Sequence, residues 1–431
     1  MSSAMKARPA DVSSERLTDQ EAKYMIYGPS ISTITFFRGS TASATSTLRA
    51  RLGLLVAANP WLAGTLTMRE GEMHVTFPRC PTAAEVDALF NPTHRAQKRR
   101  KVPVVDSTMN YMSLCKSVSG TAAEILKGSD SVAKGDQLLA LTVLPDAKRP
   151  DDTFAVVFSV SHAIIDGFTY YKLFSMLSCD GTVTPLSFVR KHDIGPQSEV
   201  AMGKEESAFA YSTATVCNIA CSMLFGRRAL IESYYVDPAR VAAKKKWYSS
   251  GTDVEFVSTN DVLCSTFGTA TSADVLLMPL NFRGRLPDFT AEDAGNYEGA
   301  LVFGPDDYKS ASLIRKTLKS GPPSYRRGGG GAFETTQLPS GCAAMRCRIS
   351  MCVNWTFPFF DEVRITGCEQ MLHVPHCDVN LIPFNIAVVY RPRAGQLAVA
   401  FFVRNVDSEG IVRELPVGEL VPSPAESFSA G

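Results

Sequence analysis

The chain has 431 residues, 45% of them hydrophobic and 20% charged, a balance that belongs to a globular protein and excludes a disordered or fibrous one. A formal net charge of +1 gives no electrostatic case for nucleic acid or an anionic membrane surface, and the basic runs Lys98–Lys101 and Lys244–Lys246 read as local solvated faces. The length exceeds one ordinary core and predicts two sizeable, closely associated domains.

Residues 1–22 are polar, lack the apolar stretch of a signal peptide, and are expected to form a disordered tail. Ile31–Phe37 predicts a strand. A helix follows through Leu48, Leu52, Leu55 and Val56 and stops at Asn59-Pro60, since proline has no N–H with which to continue the ladder. Thr65–Met68 and His74–Phe77 flank Arg69-Glu70-Gly71-Glu72 and predict a hairpin. Gln137–Leu144 and Phe154–Val160 predict two more strands, joined by the turn-rich segment Pro145–Pro150. The run Leu173, Phe174, Met176 and Leu177 predicts an amphipathic helix after Gly167, ending near Cys179.

Residues 181–206, rich in Gly, Pro and charge, read as a crossover linker. Ala208–Phe225 is the most apolar helical stretch, yet Ser212, Thr213, Thr215, Asn218 and Ser222 make it too polar to span a bilayer. Its stripe Val216, Ile219, Ala220, Met223 and Leu224 is expected to face the core. Ser258-Thr259-Asn260-Asp261 is a dense N-cap cluster opening the segment Val262–Phe267. Val275–Asn281 predicts a strand, Asp306–Leu318 a capped helix, and Phe384–Tyr390 with Leu397–Arg404 a hairpin around Pro392-Arg393-Ala394-Gly395. Gly328–Gly331 is a loop without the Gly-Lys-Ser/Thr of a phosphate cradle, and residues 422–431 are expected to be disordered. Strands and helices mix in both halves, so the predicted class is α/β (α+β), with similar-sized lobes at residues 23–180 and 207–421.

Eleven cysteines include no Cys-x-x-Cys pair, and no complementary set completes Cys342, Cys347 and Cys352. They predict free thiols in a soluble, cytoplasmic protein. His373, His376, Cys377 and Asp378 invite a metal reading, but Pro375 interrupts them and no further ligand set is evident, so no metal is expected. The most informative stretch is His162-Ala163-Ile164-Ile165-Asp166-Gly167, at the mouth of an apolar strand. Imidazole accepts and returns a proton near neutral pH without strong perturbation, which suits this turn to proton transfer.

His162-x-x-x-Asp166-Gly167 resembles the signature of the acyl-CoA-dependent acyltransferase superfamily, which includes chloramphenicol acetyltransferase, BAHD acyltransferases and the condensation domains of peptide synthetases. Further segments follow in BAHD order: Asn59-Pro60-Trp61-Leu62-Ala63-Gly64, Ser258–Leu263, Asn281-Phe282-Arg283-Gly284-Arg285, Gly295-Asn296-Tyr297 and Val353-Asn354-Trp355. Together they cover about residues 24–405. The late Asp-Phe-Gly-Trp-Gly of plant BAHD enzymes is missing, the stretch here being Val363-Arg364-Ile365-Thr366-Gly367-Cys368.

The resemblance implies two chloramphenicol-acetyltransferase-like lobes with one active-site channel between them, in a monomer. It implies an acyl-CoA co-substrate, no bound cofactor, and a hydroxyl, or an amine, of a specialised metabolite as acceptor. A carrier-protein-bound donor and a non-catalytic binding protein of the same fold are the alternatives. His162 would be the general base. Asp166 would brace it through an ion pair with Arg283, with Arg285 in reserve, and Gly167 would let the chain turn without a side chain in the channel. Asn354 would donate to the oxyanion. Ser258 and Thr259 at a helix start would seat a coenzyme A phosphate, with Lys244 and Lys246 adding charge. The chain has no Gly-x-Ser-x-Gly elbow, which favours direct transfer over a serine acyl-enzyme.

Overall fold

The computed structural model describes residues 11–429, apart from residues 24, 25, 27, 92–100, 126, 127, 227, 228, 251, 253, 323, 324, 326–336, 357–361 and 405. The predicted loop Gly328–Gly331 and most of the basic run at Lys98 lie outside the described residues. The strands are β1 (Val12–Arg16), β2 (Ser30–Arg38), β3 (Thr65–Arg69), β4 (Glu72–Pro78), β5 (Leu139–Pro145), β6 (Thr153–Ser161) and β7 (Leu230–Val236) in the first part. After them come β8 (Val275–Asn281), β9 (Glu298–Phe303), β10 (Ile349–Asn354), β11 (Glu369–His376), β12 (Asn385–Tyr390), β13 (Ala398–Val403) and β14 (Val417–Leu420). They form three sheets, ordered β1-β4-β3, β11-β2-β6-β5 and β14-β7-β13-β12-β10-β8-β9.

The predicted strands and the Asn385–Val403 hairpin form with shifts of one or two residues at their ends. β6 is buried along all nine residues because it is central, between β2 and β5, and covered on both faces. Alternation sends Phe154, Val156, Phe158 and Val160 into a cluster with Leu48, Leu52, Leu55 and Phe174. Ala155 and Val157 point the other way, toward Val388, Ala400 and Phe402 of the second half. Each large apolar side chain buried in this way stabilises the fold by roughly 1.5–3 kcal/mol. The helix Thr41–Ala58 starts on Ser40, whose hydroxyl accepts from the Ser43 N–H, and ends at Asn59 before Pro60 as predicted.

β11 corrects the division into lobes 23–180 and 207–421. It runs antiparallel to β2, from Glu369 opposite Arg38 to His376 opposite Ser32. Seven of its eight residues are buried, and pairing closes the outer edge that β2 would otherwise leave open. The second half therefore lends a strand to the first.

Both expected tails are ordered over much of their length. Val12–Arg16 pairs antiparallel with β4, and Thr18 and Glu21 are buried. At the other end Pro424–Ser429 is helical, with Ser423 and Glu426 bonding reciprocally across its first turn. The linker 181–206 holds the helix Ile194–Met202, and its Ser187 bridges to Asp293. The predicted helix Asp306–Leu318 is two pieces, Pro305–Tyr308 and Ala311–Ser320, the second restarted by Ser310 accepting from the Ser312 N–H.

The helix Thr213–Phe225 reverses the expected orientation. Of the stripe Val216, Ile219, Ala220, Met223 and Leu224, only Ile219 is buried, and Leu224 is 74% exposed. Asn218 is the reason: its amide donates to the carbonyls of Ala344 and Cys347, both at 2.8 Å, and so turns a polar face inward. All eleven cysteines are free thiols. Among the described residues no helix is long and apolar enough to cross a membrane, and no group of three or more His, Cys, Asp or Glu gathers as a metal site. His373 lies 2.8 Å from Thr35 Oγ1 and 3.1 Å from Tyr171 OH, while His376 sits 3.3 Å from Glu124.

Candidate active site

β6 ends at Ser161, whose hydroxyl accepts from the Ala163 N–H while its carbonyl accepts from the Ile164 N–H. Ala163, Ile164 and Ile165 are fully buried and anchor the turn. His162, between them and the strand, is half-buried, with its Nδ1 enclosed and its ring against the carbonyls of His162 and Ile165. Burial pushes the imidazole below its ordinary value, opposed by those carbonyls and by the charge of Asp166. At neutral pH the ring is thus uncharged and able to accept a proton.

Asp166 caps the helix Gly167–Ser175, its Oδ1 accepting from the Thr169 N–H at 2.9 Å. Its Oδ2 accepts from Arg283 Nη1 at 2.6 Å and from the Tyr297 N–H at 3.1 Å. The two side chains are 1% and 2% exposed, so this is a buried ion pair between the two halves, with the cap held at the same time. Arg283 spends its remaining donors on Asp293 O, Gly295 O, Thr169 Oγ1 and Asn281 Oδ1. Asn281 is thereby explained: its carboxamide oxygen shapes the turn that carries Arg283. Arg285, the reserve, is exposed and donates to Asn281 O instead.

Gly167 packs against the indole of Trp355. It is the first residue of its helix, and a Cβ there would stand 3.2 Å from Trp355 Nε1. A side chain there would press on the indole, which would have to give by a few tenths of an ångström. Trp355 in turn stacks edge-on against Tyr171 and brings the end of β10 to the site. Asn354 just before it is exposed, and its carboxamide oxygen accepts from Thr356 N and Oγ1 at 2.9 and 2.7 Å. The structure gives that side chain a local turn to hold.

The expected phosphate seat lies at a capped helix start. Ser258 and Asp261 form a capping box, and Arg315 donates to Asp261 from 2.7 Å. Burial pushes the Asp261 carboxyl up, and Arg315 pulls it back. The helix start beside Ser258 and Thr259 therefore already holds an anion. Lys244 and Lys246 lie on the helix Pro238–Ser249, where Lys246 is exposed and Lys244 is lowered by partial burial.

A second buried ion pair was not foreseen. Arg190 Nε lies 3.0 Å from Glu21 Oε2, with side-chain exposures of 0% and 1%. Arg190 also donates to the carbonyls of Ala294 and Ile164, inside the His162 turn. Glu21 Oε1 accepts from the Asn296 N–H and carboxamide, and that carboxamide donates to the His162 carbonyl at 2.8 Å. Glu21 and Arg190 sit in segments that read as tail and linker. The one local signal was Thr18-x-x-Glu21, a capping-box spacing, realised as Thr18 N and Oγ1 bonding Glu21. The histidine turn is thus gripped from both sides, by Asp166–Arg283 below and Glu21–Asn296–Arg190 above.

No family model and no curated protein sequence matches the chain. Solved structures do. The chain is similar to polyketide synthase associated protein 5 from Mycobacterium tuberculosis, at 17% identity over 98% of this chain and 97% of that one, with a TM-score of 0.55. It is similar to F. sporotrichioides TRI101 complexed with coenzyme A and T-2, at 13% identity over 93% and 96% of the two chains, TM-score 0.59. Vinorine synthase matches at 10% identity over 98% and 95%, TM-score 0.55. At these identities what is shared is architecture, and the chain accordingly has the two-lobed fold of the chloramphenicol-acetyltransferase-like proteins.

Proposed function

We propose that the protein is an acyltransferase that moves an acyl group from an acyl-CoA thioester to a hydroxyl acceptor, with His162 as general base. The observation that carries this reading is the histidine turn itself: a half-exposed, neutral imidazole held by two buried ion pairs, one of which joins the lobes. Such clamping fixes where the proton is taken, which is what positioned acid–base catalysis needs. That a structural neighbour was solved with coenzyme A supports the donor class.

In the proposed step His162 accepts the proton of the acceptor hydroxyl as its oxygen attacks the thioester carbonyl carbon. The tetrahedral intermediate collapses with cleavage of the C–S bond, and the imidazolium returns the proton to the departing sulfur. Asp166 and Arg283 do not touch reactants in this scheme; they hold the turn. The test is thiol release from a panel of acyl-CoAs supplied with a metabolite extract, with the products identified by mass spectrometry. His162→Ala is expected to lower turnover about 10²–10⁴-fold with the melting temperature retained. Unchanged turnover in that variant refutes the mechanism.

A further inference from the structure

Glu298 is the first residue of β9, opposite Asn281 on β8, and the proposed mechanism does not use it. The backbone is extended here, since the Phe282 N–H bonds to the Tyr297 carbonyl. Alternation therefore places Glu298 on the same face as Asn296, whose carboxamide holds the His162 carbonyl, and Tyr297 on the opposite face against Phe289. The Glu298 carbonyl accepts from Gln20 Nε2 at 3.0 Å. Its carboxyl, by contrast, takes no hydrogen bond from a described residue and is only half-buried. A half-exposed carboxyl beside the Asp166–Arg283 pair, with no hydrogen-bond partner among the described residues, is a group left for a ligand.

We propose that Glu298 is an acceptor-contacting residue of the transfer site, its carboxyl donating a hydrogen bond to an oxygen of an uncharged acceptor. This rests on the acyl-transfer reading above. Among the described residues, the charged and titratable groups around Glu298 are Asp166 at the start of Gly167–Ser175, Arg283 beyond β8, and Tyr211 ahead of Thr213–Phe225. Lys23 lies 4.0 Å over the Tyr211 ring. Burial, with the Asp166 charge adding and Arg283 opposing, pushes Glu298 up to about 8. At pH 7 it therefore carries its proton and acts as a donor, with no formal charge for a cationic acceptor to pair with. Above pH 8 it becomes a second carboxylate beside Asp166 and stops donating.

The test compares wild type with Glu298→Gln and Glu298→Ala, using acetyl-CoA as donor and 2-phenylethanol as the acceptor probe. In the infrared difference spectrum between wild type and Glu298→Gln, a protonated-carboxyl band is expected at pH 7, shifting when 2-phenylethanol is added and vanishing by pH 9. Absence of the band at pH 7, or a band indifferent to 2-phenylethanol, overturns the proposal. In thiol-release assays Glu298→Ala is expected to raise KM for 2-phenylethanol about tenfold while KM for acetyl-CoA stays put. Glu298→Gln, which keeps a donor and cannot titrate, is expected to retain the wild-type KM and lose its rise between pH 7 and 9. Equal KM values in all three proteins overturn the proposal, and the infrared result decides if the probe is not turned over. Failure of the acyl-transfer reading itself shows separately, as thiol release indifferent to His162→Ala.

Discussion

Replacing Asp166 by Asn keeps the shape of the side chain and removes its charge, leaving Arg283 buried without a counter-ion. Three bonds converge on Asp166, from Thr169 N, Arg283 Nη1 and Tyr297 N. An asparagine has one acceptor oxygen. If that oxygen keeps the Thr169 cap, its amide hydrogens face the N–H groups of Arg283 and Tyr297, donor against donor. Breaking a buried pair by removing one partner costs about 3–5 kcal/mol. Arg283 still has Asp293 O, Gly295 O, Thr169 Oγ1 and Asn281 Oδ1, so the lower end, about 3 kcal/mol, is expected here. For a chain of this size that is a fall of about 3 °C in the apparent unfolding midpoint. Scanning fluorimetry or calorimetry measures it, with urea titration as a check. Asp166→Asn combined with Arg283→Met removes both charges and should be less destabilised than the sum of the single variants by about 1–3 kcal/mol. A midpoint within about 1 °C of wild type, or a strictly additive double variant, refutes the idea that this pair braces the histidine turn.

Glu21→Gln should destabilise by a similar amount, because it strands Arg190 against the carbonyls of Ala294 and Ile164. Turnover should fall with it as the His162 carbonyl loses its firm hold, and an unaltered midpoint with unaltered kcat would count against the second clamp. The pH profile of kcat/KM tests the base directly. Burial lowers the His162 pKa, so the neutral, proton-accepting form persists to lower pH, and the acid limb should fall below the ordinary imidazole value of 6.5. An acid limb at or above 6.5 that disappears in His162→Ala would contradict that environment.

Much of the framework was legible because it depends on local periodicity. Phe154–Val160 is apolar at every position but Ser159, as a doubly covered strand needs, and Asn59-Pro60 ends its helix by covalent geometry. Asp166 and Arg283, 117 residues apart in sequence, could be matched only through the colinear family segments, since nothing local in either residue names the other. Glu21 and Arg190 stayed hidden because their surroundings look like solvent-exposed chain, and only tertiary pairing makes them core. The helix Thr213–Phe225 misled for the converse reason. Its apolar spacing is regular, but one half-buried asparagine with two carbonyl partners outweighs the stripe and rotates it outward. Ser258 and Thr259 were correctly read as a helix start, because N-cap chemistry is local.

The strand β11 has a consequence for how the protein is made. Its partner β2 lies more than 330 residues earlier in the chain, so the first half leaves the ribosome with that sheet one strand short. Until His376 emerges, β2 exposes an unpaired row of N–H and C=O groups beside the apolar residues Ile34 and Phe36, the kind of edge that invites wrong pairing. Loop closure over such a separation is slow, and the halves are interdependent during folding. Expressing the chain as two pieces cut within residues 181–206 should therefore yield an aggregation-prone first piece. Supplying the second piece during synthesis should rescue it, by strand donation between polypeptides that an intact chain performs on itself.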